Sequence, residues 1–279
     1  MLVNAPTKNQ WRLSKRLDLK QGAGHPNFGT LCKVMGVQDR LTRFLRNHSV
    51  VKNILHFAKT RGRQRINYLH IGKTGGTQIM HQLNIINSVN RKYYFQKRGH
   101  SFRRSNLPER ELWFVSIRDP ISRFQSGFYS RKRMGRPRLN RLWSEAEEWA
   151  FSVFPHATDL ADALSPTHQN YDSAVRAMGA IDHVRRPMSW TLDGQILNPF
   201  FVIRQENLAG DLVKMLQALN IDFSLNISSD PLETHANPYE ELGFIPFSAI
   251  GLKNLETWYQ KDFDLLGRIE TLMIDKWQV

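Results

Sequence analysis

The architecture of this chain follows from one stretch, Ile66-Asn67-Tyr68-Leu69-His70-Ile71-Gly72-Lys73-Thr74-Gly75-Gly76-Thr77. Its first half is apolar and rich in β-forming residues, which predicts a strand. A lysine, two glycines and two threonines follow within five positions. The residues after them carry apolar side chains at helical spacing. The order of strand, glycine turn and helix predicts a phosphate cradle, because the first N–H groups of a helix lack intrahelical partners and can bind an anion.

Each polar residue of this turn has an expected task. We expect Gly75 and Gly76 to let the backbone approach an anion without a Cβ in the way. Lys73 supplies a point charge, and the hydroxyls of Thr74 and Thr77 supply hydrogen-bond donors. The alternative is an ordinary strand–helix turn, since Gly-Gly pairs are common in loops. We favour the phosphate site because the cation, the glycines and the hydroxyls fall together.

The best-known phosphate cradle is the Walker loop of nucleotide triphosphatases, G-x-x-x-x-G-K-[ST]. Gly72-Lys73-Thr74 matches the end of that pattern, but the first glycine of the pattern would fall at Asn67. Here the glycine pair follows the lysine, so the turn lies on the other side of the cation. A P-loop-type kinase that uses ATP or GTP is therefore an alternative with one essential residue missing.

A second cluster follows the run Leu112-Trp113-Phe114-Val115-Ser116-Ile117, whose uncharged aromatic and β-branched residues predict a buried strand. The run ends in Arg118-Asp119-Pro120, and proline suits the first turn of a helix. Arg118 at the strand end and Ser126 on the predicted helix could thus bind the same ligand. An arginine fork and a hydroxyl suit a terminal phosphate monoester. The alternative is a structural salt bridge with a helix cap.

Together the two clusters resemble the sulfotransferases that use 3′-phosphoadenosine 5′-phosphosulfate (PAPS). Residues 70–77 are similar to the 5′-phosphosulfate loop of that family, P-K-T-G-G/S-T-S, with Gly72 in place of the usual proline and Gln78 in place of the usual serine. Residues 118–126 are similar to the 3′-phosphate motif, R-D-P-x-x-R-x-x-S, with every fixed position present. The resemblance is closest to the carbohydrate branch, which includes heparan sulfate 2-O-sulfotransferase and bacterial relatives.

This resemblance implies an enzyme that moves a sulfuryl group from PAPS to an acceptor hydroxyl by in-line displacement, with PAP as the product. The residues expected to bind the 5′-phosphosulfate are Lys73, Thr74, Gly75, Gly76, Thr77 and Gln78. Lys73 is also expected to be catalytic, because negative charge builds on the leaving phosphate oxygen. Arg118 and Ser126 are expected to bind the 3′-phosphate. The departures at Gly72 and Gln78 leave a non-catalytic relative open.

The acceptor hydroxyl has a pKa far above neutrality, so a general base should assist, which typically contributes about 10²–10⁴-fold. In the branch that this chain resembles, a histidine between the two phosphate motifs is the base, and His100 occupies the corresponding place. The alternative is a loop histidine without a role in the chemistry. This scheme requires no metal, and His156, His168 and His183 are spaced too widely to indicate a preformed metal site.

Strand and helix patterns alternate along the rest of the chain. Predicted strands cover residues 66–71, 92–95, 112–117 and 200–204. Predicted helices cover residues 77–88, 120–134, 143–154, 168–178, 207–219 and 252–272. Since both ligand motifs follow strand ends, the pattern predicts an α/β fold of the P-loop-like, three-layer kind, with a central parallel β-sheet flanked by helices.

The net charge of +14 is concentrated in two segments. Residues 1–65 carry 14 Lys and Arg against 2 Asp and Glu, and residues 91–141 carry 15 against 3. This charge favours a polyanionic donor near the two motifs. The basic side chains Arg131, Lys132, Arg133, Arg136, Arg138 and Arg141 also suggest an anionic acceptor, with a solvated helix face as the alternative. A nucleic-acid-binding protein is a further alternative, although no nucleic-acid motif is recognisable and no such partner is expected.

We divide the chain into a basic N-terminal extension over residues 1–64 and a sulfotransferase-like catalytic domain over residues 65–279. The extension carries one or two amphipathic helices that would pack on the domain, contact a membrane surface or bind a partner. No apolar run reaches the roughly 18 residues of a transmembrane helix, and no signal peptide is evident. With Cys32 as the single cysteine, no intramolecular disulfide can form. Animal members of the branch that the chain resembles are typically Golgi proteins with a membrane anchor, so without such an anchor we predict a cytoplasmic, bacterial enzyme. The same resemblance implies that it acts on a carbohydrate hydroxyl, and its oligomeric state is not predicted.

Overall fold

The computed structural model describes residues 62–194, 198–226 and 243–277 of the chain. These residues belong to one unit that spans residues 60–279. The predicted N-terminal extension over residues 1–64 falls almost wholly outside the described residues. Its helices and its membrane contact therefore stay predictions.

Four parallel strands form the central sheet of this unit: β1 (Gln64–Leu69), β2 (Tyr93–Arg98), β3 (Leu112–Ile117) and β4 (Phe201–Arg204). Their order across the sheet is β2-β1-β3-β4. The register places Leu69 opposite Arg98 on one side and Val115 on the other, so the carboxyl ends of β1 and β3 meet at one edge. From β1 the chain continues to β2 on one side and later reaches β3 on the other. Ligands of open α/β sheets commonly bind at such a switch point.

Nine α-helices connect or follow the strands within the described residues. They are α1 (Gly76–Val89), α2 (Pro120–Lys132), α3 (Glu145–Val153), α4 (Ala157–Asp162), α5 (Tyr171–Ala180), α6 (Met188–Thr191), α7 (Leu208–Ala218), α8 (Ala249–Trp258) and α9 (Gln260–Trp277). Two 3₁₀ turns, Arg104–Asn106 and Gln205–Asn207, precede β3 and α7.

Helices cover both faces of the sheet. On one face, α1 and α7 pack against strand side chains that include Ile66 and Phe114. On the other face, α6 and α9 pack against Leu69, Val115 and Val202. Successive strand residues point to opposite faces, and a parallel sheet that is buried on both sides needs apolar residues on each. The predicted three-layer α/β fold with a central parallel sheet is confirmed.

A separate apolar cluster lies between α2, α3, α4, α5 and α8. A buried ion pair joins α2 to α3. The side chains of Arg131 and Glu147 are both 3% exposed. Arg131 donates through Nε at 2.7 Å and through Nη2 at 2.9 Å to the two carboxylate oxygens. The expected role of Arg131 in binding an anionic acceptor is therefore wrong, because its guanidinium is occupied by a buried carboxylate.

We expect the helical cluster to be sensitive to the loss of one partner of this ion pair. Replacing Arg131 with methionine leaves the buried carboxylate of Glu147 unpaired, which should lower the free energy of unfolding at pH 7 by about 3–5 kcal/mol in denaturant titrations. Arg185→Met is the matched control. It breaks only the exposed, 3.5 Å pair with Asp182 and should cost less than about 1 kcal/mol. Similar losses in both variants would contradict this prediction.

The same carboxylate makes stability depend on pH. Burial by itself raises the pKa of Glu147, but hydrogen bonds from Arg131 and from backbone N–H groups outweigh it and lower the pKa to about 2. A carboxylate with a lowered native pKa adds stability that is present above its unfolded value near 4.5. That contribution is lost as the pH falls towards 2, and the Glu147→Gln variant should lose less of its stability over this range.

The structure differs from the predicted elements at several places. The helix predicted over residues 252–272 is two helices, α8 and α9, separated at Tyr259. The buried ring of Tyr259 packs against Phe124 in the helical cluster, and the Asp262 carboxylate accepts the N–H groups of Met188 and Ser189 at 2.8 Å. These tertiary contacts fix the break, and no local sequence signal indicates them. The first strand ends at Leu69 rather than at residue 71, and the short helices α4 and α6 were not predicted.

Candidate active site

The loop from β1 to α1 carries the predicted phosphosulfate-binding residues. Helix α1 begins at Gly76, after Gly75 with a left-handed φ of 80°. Lys73 also has a positive φ, 71°, which is uncommon for a residue with a side chain. The predicted order of strand, turn and helix is confirmed, and the loop places the N-terminus of α1 at the carboxyl edge of the sheet.

The two glycines of the loop make room for protein side chains. A Cβ on Gly75 would collide with Cδ1 of Leu208, and a Cβ on Gly76 would collide with the imidazole of His70. The sequence led us to expect that both glycines clear space for an anion. The structure instead places α7 and the end of β1 against them, so packing within the protein already requires glycine at both positions.

Thr74 is fully buried and its hydroxyl is used inside the protein. Its Oγ1 donates to the Ile71 carbonyl oxygen at 2.9 Å and lies 2.6 Å from Oγ of Ser116. Ser116 in turn lies 2.6 Å from the Tyr68 hydroxyl. The expectation that the Thr74 hydroxyl donates to a ligand is therefore wrong. This hydroxyl ties the loop to β3, and only the backbone of Thr74 remains as a candidate ligand-binding group.

Thr77 and Gln78 lie in the first turn of α1. Thr77 is half-buried, and Gln78 is buried. The N-terminus of a helix favours anions through its backbone N–H groups and its dipole. Both residues stay predicted phosphosulfate ligands at a position where such a ligand would be favoured.

Asn67 occupies the position at which a Walker loop has its first glycine. The side chain is fully buried in the middle of β1, where Nδ2 donates to Glu111 and to the Leu112 carbonyl oxygen, both at 3.0 Å. A residue that is paired inside a strand does not belong to a phosphate-binding turn. The position of Asn67 thus weighs against the kinase alternative.

Arg118 lies at the end of β3 and reaches the loop that follows β1. Its Nη1 donates to the Lys73 carbonyl oxygen at 3.3 Å, and its Nε donates to Oγ of Ser122 at 2.8 Å. The two motifs that were found separately in the sequence therefore meet at one site. Ser122 fixes the orientation of the guanidinium, a role that the sequence did not suggest.

Helix α2 carries Ser126, the second predicted 3′-phosphate ligand. The helix is fixed at its start because the Asp119 side chain accepts the N–H of Ser122 at 2.7 Å and Pro120 follows as the first helical residue. Glu206 adds a further restraint by accepting the Asp119 N–H at 3.0 Å. Ser126 lies one turn beyond Ser122, so both hydroxyls are on the same side of the helix. It is largely buried, and its role as a ligand stays a prediction.

The electrostatic surroundings of Lys73 are cationic. Its pKa is lowered to about 7, first by burial and then by the nearby guanidiniums of Arg133, Arg118 and Arg123. Among the ion pairs of the described residues, none includes Lys73 or Arg118. A half-buried cluster of cations at this edge of the sheet favours a polyanionic ligand.

Arg123 anchors the loop that carries Lys73. It is 2% exposed, and its Nε donates to the Gly72 carbonyl oxygen at 3.0 Å. Its Nη2 donates to the carbonyl oxygens of His183 and Arg186 at 3.1 and 2.6 Å. All three acceptors are backbone carbonyl oxygens. Arg123 ties the loop after β1 to the segment after α5.

His100, the predicted base, lies in a group of three histidines. Its ring centroid is 4.4 Å from that of His70 and 5.3 Å from that of His183. Partial desolvation and then the charge of Lys97 lower the pKa of His100 below its usual value. Burial and the other cationic groups lower the pKa of His70 and His183 as well. Since each imidazole is therefore neutral near pH 7, His100 is in the state that accepts a proton.

His183 is the site residue that sequence reasoning missed. It is 83 positions from His100 in the sequence, and no motif contains it. In the fold, His183 lies next to His100, which in turn lies next to His70. In the described part of the chain, no group of three or more His, Cys, Asp or Glu side chains is arranged to hold a metal ion. The same residues include no helix that is long and apolar enough to cross a membrane.

Comparison with known proteins agrees with this geometry. Residues 57–267 match the model of the sulfotransferase family. The match covers about three quarters of the chain and contains both strand-end motifs, so the chain belongs to the sulfotransferase family, whose members are enzymes that transfer sulfate. No curated protein and no solved structure matches the chain.

Proposed function

We propose that this sulfotransferase moves a sulfuryl group from PAPS to a carbohydrate hydroxyl, with Lys73 at the donor and His100 as the general base. The observation that carries the proposal is the meeting of the two motifs. Arg118 lies 3.3 Å from the carbonyl oxygen of Lys73, at the switch point of the sheet, within a cluster of cations. A nucleotide with phosphates at its 5′ and 3′ positions needs cations of this kind at two places.

The residues present fit PAPS. Lys73 and the start of α1 would hold the 5′-phosphosulfate, while Arg118 and Ser126 would hold the 3′-phosphate. PAPS would supply an activated sulfuryl group whose leaving group is a phosphate. Lys73 would stabilise the charge that develops on that phosphate, and a fixed cation in a half-buried site acts more strongly than one in water.

His100 would remove the proton of the acceptor hydroxyl. Its imidazole lies beside Gly72, since a Cβ on that glycine would be 3.5 Å from Cε1 of His100. Gly72 directly precedes Lys73, so the base, which follows β2, lies against the loop that carries the cation. That arrangement supports an in-line reaction with the acceptor on the histidine side and the leaving group on the lysine side.

Cationic and aromatic side chains near His100 support an anionic carbohydrate as the acceptor. Lys97 has a lowered pKa, through partial burial and then the charge of Arg138. Arg186 stacks on the Trp190 ring at 5.1 Å and lies 3.5 Å from the His100 carbonyl oxygen. Arginine stacked on an aromatic ring is suited to recognising carboxylate or sulfate groups. The cytoplasmic and bacterial assignments stay predictions.

Nucleotide binding tests the donor half of the proposal. We expect isothermal titration calorimetry to show tighter binding of PAP than of ADP, because only PAP places a phosphate at Arg118 and Ser126. Arg118→Ala should weaken PAP binding about 10- to 100-fold, as expected for the loss of charge-assisted hydrogen bonds. It should leave ADP binding nearly unchanged. Arg110→Ala, an exposed substitution away from the site, is the control.

Labelled sulfate tests the complete reaction. We expect transfer from PAPS to members of a panel of anionic glycans, measured with the intact chain. Equal affinity for ADP and PAP, with no transfer to any glycan, would rule out the proposed donor and return the kinase alternative. Transfer to neutral glycans only would reject the anionic acceptor while keeping the donor.

A further inference from the structure

His183 has an unusual backbone conformation next to the candidate active site. Its φ is 65°, in the left-handed region, which only a few per cent of residues other than glycine adopt, although histidine does so more often than most. Such a conformation persists only where the surrounding structure enforces it, and it is found most often at functional sites. We therefore looked for the contacts that enforce this conformation and for a chemical role of the side chain.

Three contacts supply the structural cause. Arg123 donates to the His183 carbonyl oxygen at 3.1 Å. Gly127 of α2 allows the backbone of His183 to approach, because a Cβ there would be 3.4 Å from the same carbonyl oxygen. Gly72 allows the ring to approach, because a Cβ there would be 2.7 Å from Nδ1 of His183. The buried Arg123 therefore fixes the backbone of His183, and the glycine at position 72 leaves room for its ring.

Gly72 links His183 to the sequence of the loop. The loop pattern that the chain resembles has proline at this position, and any Cβ here would collide with the His183 ring. The glycine is thus explained by the imidazole beside it. In this chain His183 fills space that a larger residue at position 72 would occupy, directly before Lys73.

The imidazole of His183 lies close to both of the proposed catalytic residues. The charge of Lys73 acts on the His183 ring, which lies against Gly72 directly before Lys73, and the rings of His100 and His183 meet edge to face. In the proposed function, Lys73 faces the leaving group and His100 faces the acceptor. A group that neighbours both would lie beside the sulfuryl group that passes between them.

We propose that His183 is a further catalytic residue of this sulfotransferase, whose imidazole N–H donates a hydrogen bond to an oxygen of the sulfuryl group. The proposal rests on the proposed function, since it needs PAPS as the donor. Burial and the neighbouring cations keep the pKa of His183 below its usual value, so the ring is neutral and retains one N–H donor. The buried guanidinium of Arg123 fixes the backbone that carries this donor, and Gly72 packs against its ring.

The bonds and protons of the transfer balance without any proton moving to or from His183. The acceptor oxygen forms a bond to sulfur as the bond between sulfur and the phosphate oxygen breaks. The electron pair of the broken bond stays with the phosphate oxygen near Lys73, and the acceptor proton goes to His100. His183 keeps its hydrogen throughout and holds the sulfuryl group in line.

The test uses two single variants of the intact chain, one that introduces a glycine and one that removes a glycine. His183→Gly removes the ring and tolerates the positive φ, whereas Gly72→Ala keeps the ring but forces it to move. We expect each to lower kcat about 10- to 100-fold, as for a lost hydrogen bond to a charged group. PAPS affinity should fall, while affinity for PAP, which has no sulfuryl group, should change less than about twofold. The double variant should be no worse than His183→Gly, because the displaced ring is already absent.

The controls separate this contact from a structural role. His168→Gly makes the same substitution in a loop outside the site and should leave both affinities and kcat unchanged. Equal losses of PAP and PAPS affinity in His183→Gly would overturn the proposal. A loss of kcat in the double variant equal to the product of the two single losses would overturn it as well. Unchanged kcat in His183→Gly would also overturn it, while transfer by the unmodified chain would still support the proposed function. Failure of the unmodified chain to bind PAPS would overturn both.

Discussion

Replacing Lys73 with methionine is expected to lower kcat for sulfuryl transfer about 10²- to 10³-fold, the loss typical of removing one group that stabilises developing negative charge. Methionine keeps most of the aliphatic stem and removes only the cation. Lys214→Met on the exposed surface of α7 is the matched control and should keep full activity. A Lys73→Met enzyme with unchanged kcat would show that another group stabilises the leaving phosphate.

The lowered pKa of Lys73 gives this prediction a dependence on pH. With a pKa of about 7, a substantial fraction of Lys73 is uncharged above neutrality. A polyanionic nucleotide favours the charged form, so binding should take up a proton. PAP affinity should therefore fall as the pH rises from 7 to 9 in the unmodified chain, and it should fall less in Lys73→Met. Calorimetry in buffers of different ionisation enthalpy measures the proton uptake directly.

Replacing His100 with alanine is expected to lower kcat about 10²- to 10⁴-fold, the range for loss of a general base. Because His100 contacts the acceptor rather than the nucleotide in the proposed scheme, PAP affinity should stay within about twofold. This pattern differs from that of Arg118→Ala, in which the main effect is weaker PAP binding. His81→Ala, at an exposed position of α1, is the control.

The pH profile of the unmodified chain checks the same assignment. Partial desolvation and Lys97 lower the pKa of His100, so the neutral, active form should persist to a pH below the usual histidine value of 6.5. Turnover should fall only as the pH drops through this lowered pKa. Full activity in His100→Ala would move the base elsewhere, and His183 would be the first residue to examine.

The sequence predicted the parts of the site that depend on local order along the chain. An apolar strand followed by a turn residue and a helix was visible at both β1 and β3, and the rules for parallel sheets bring such strand ends together. The pairing of Lys73 with Arg118 was therefore predictable. So was the alternation of strands and helices, because each element needs only a few neighbouring residues.

The sequence could not show which polar atoms are used within the protein. Thr74 looks like any phosphate-binding threonine until Ser116 of β3 is placed beside its hydroxyl. Arg123 belongs to the 3′-phosphate motif, yet its three carbonyl partners come from two distant segments. His183 was missed for the same reason, although its effect on Gly72 was visible as a departure from the family pattern.

The cluster of cations around Lys73 also has a thermodynamic cost. Before an anion binds, like charges repel one another in a half-buried space, which opposes folding. Part of the binding energy of any polyanion is therefore the release of this repulsion, and the folded chain should gain thermal stability from simple anions such as inorganic phosphate. The enzyme would then be least stable when no nucleotide is bound, and its cellular lifetime would follow the supply of its nucleotide.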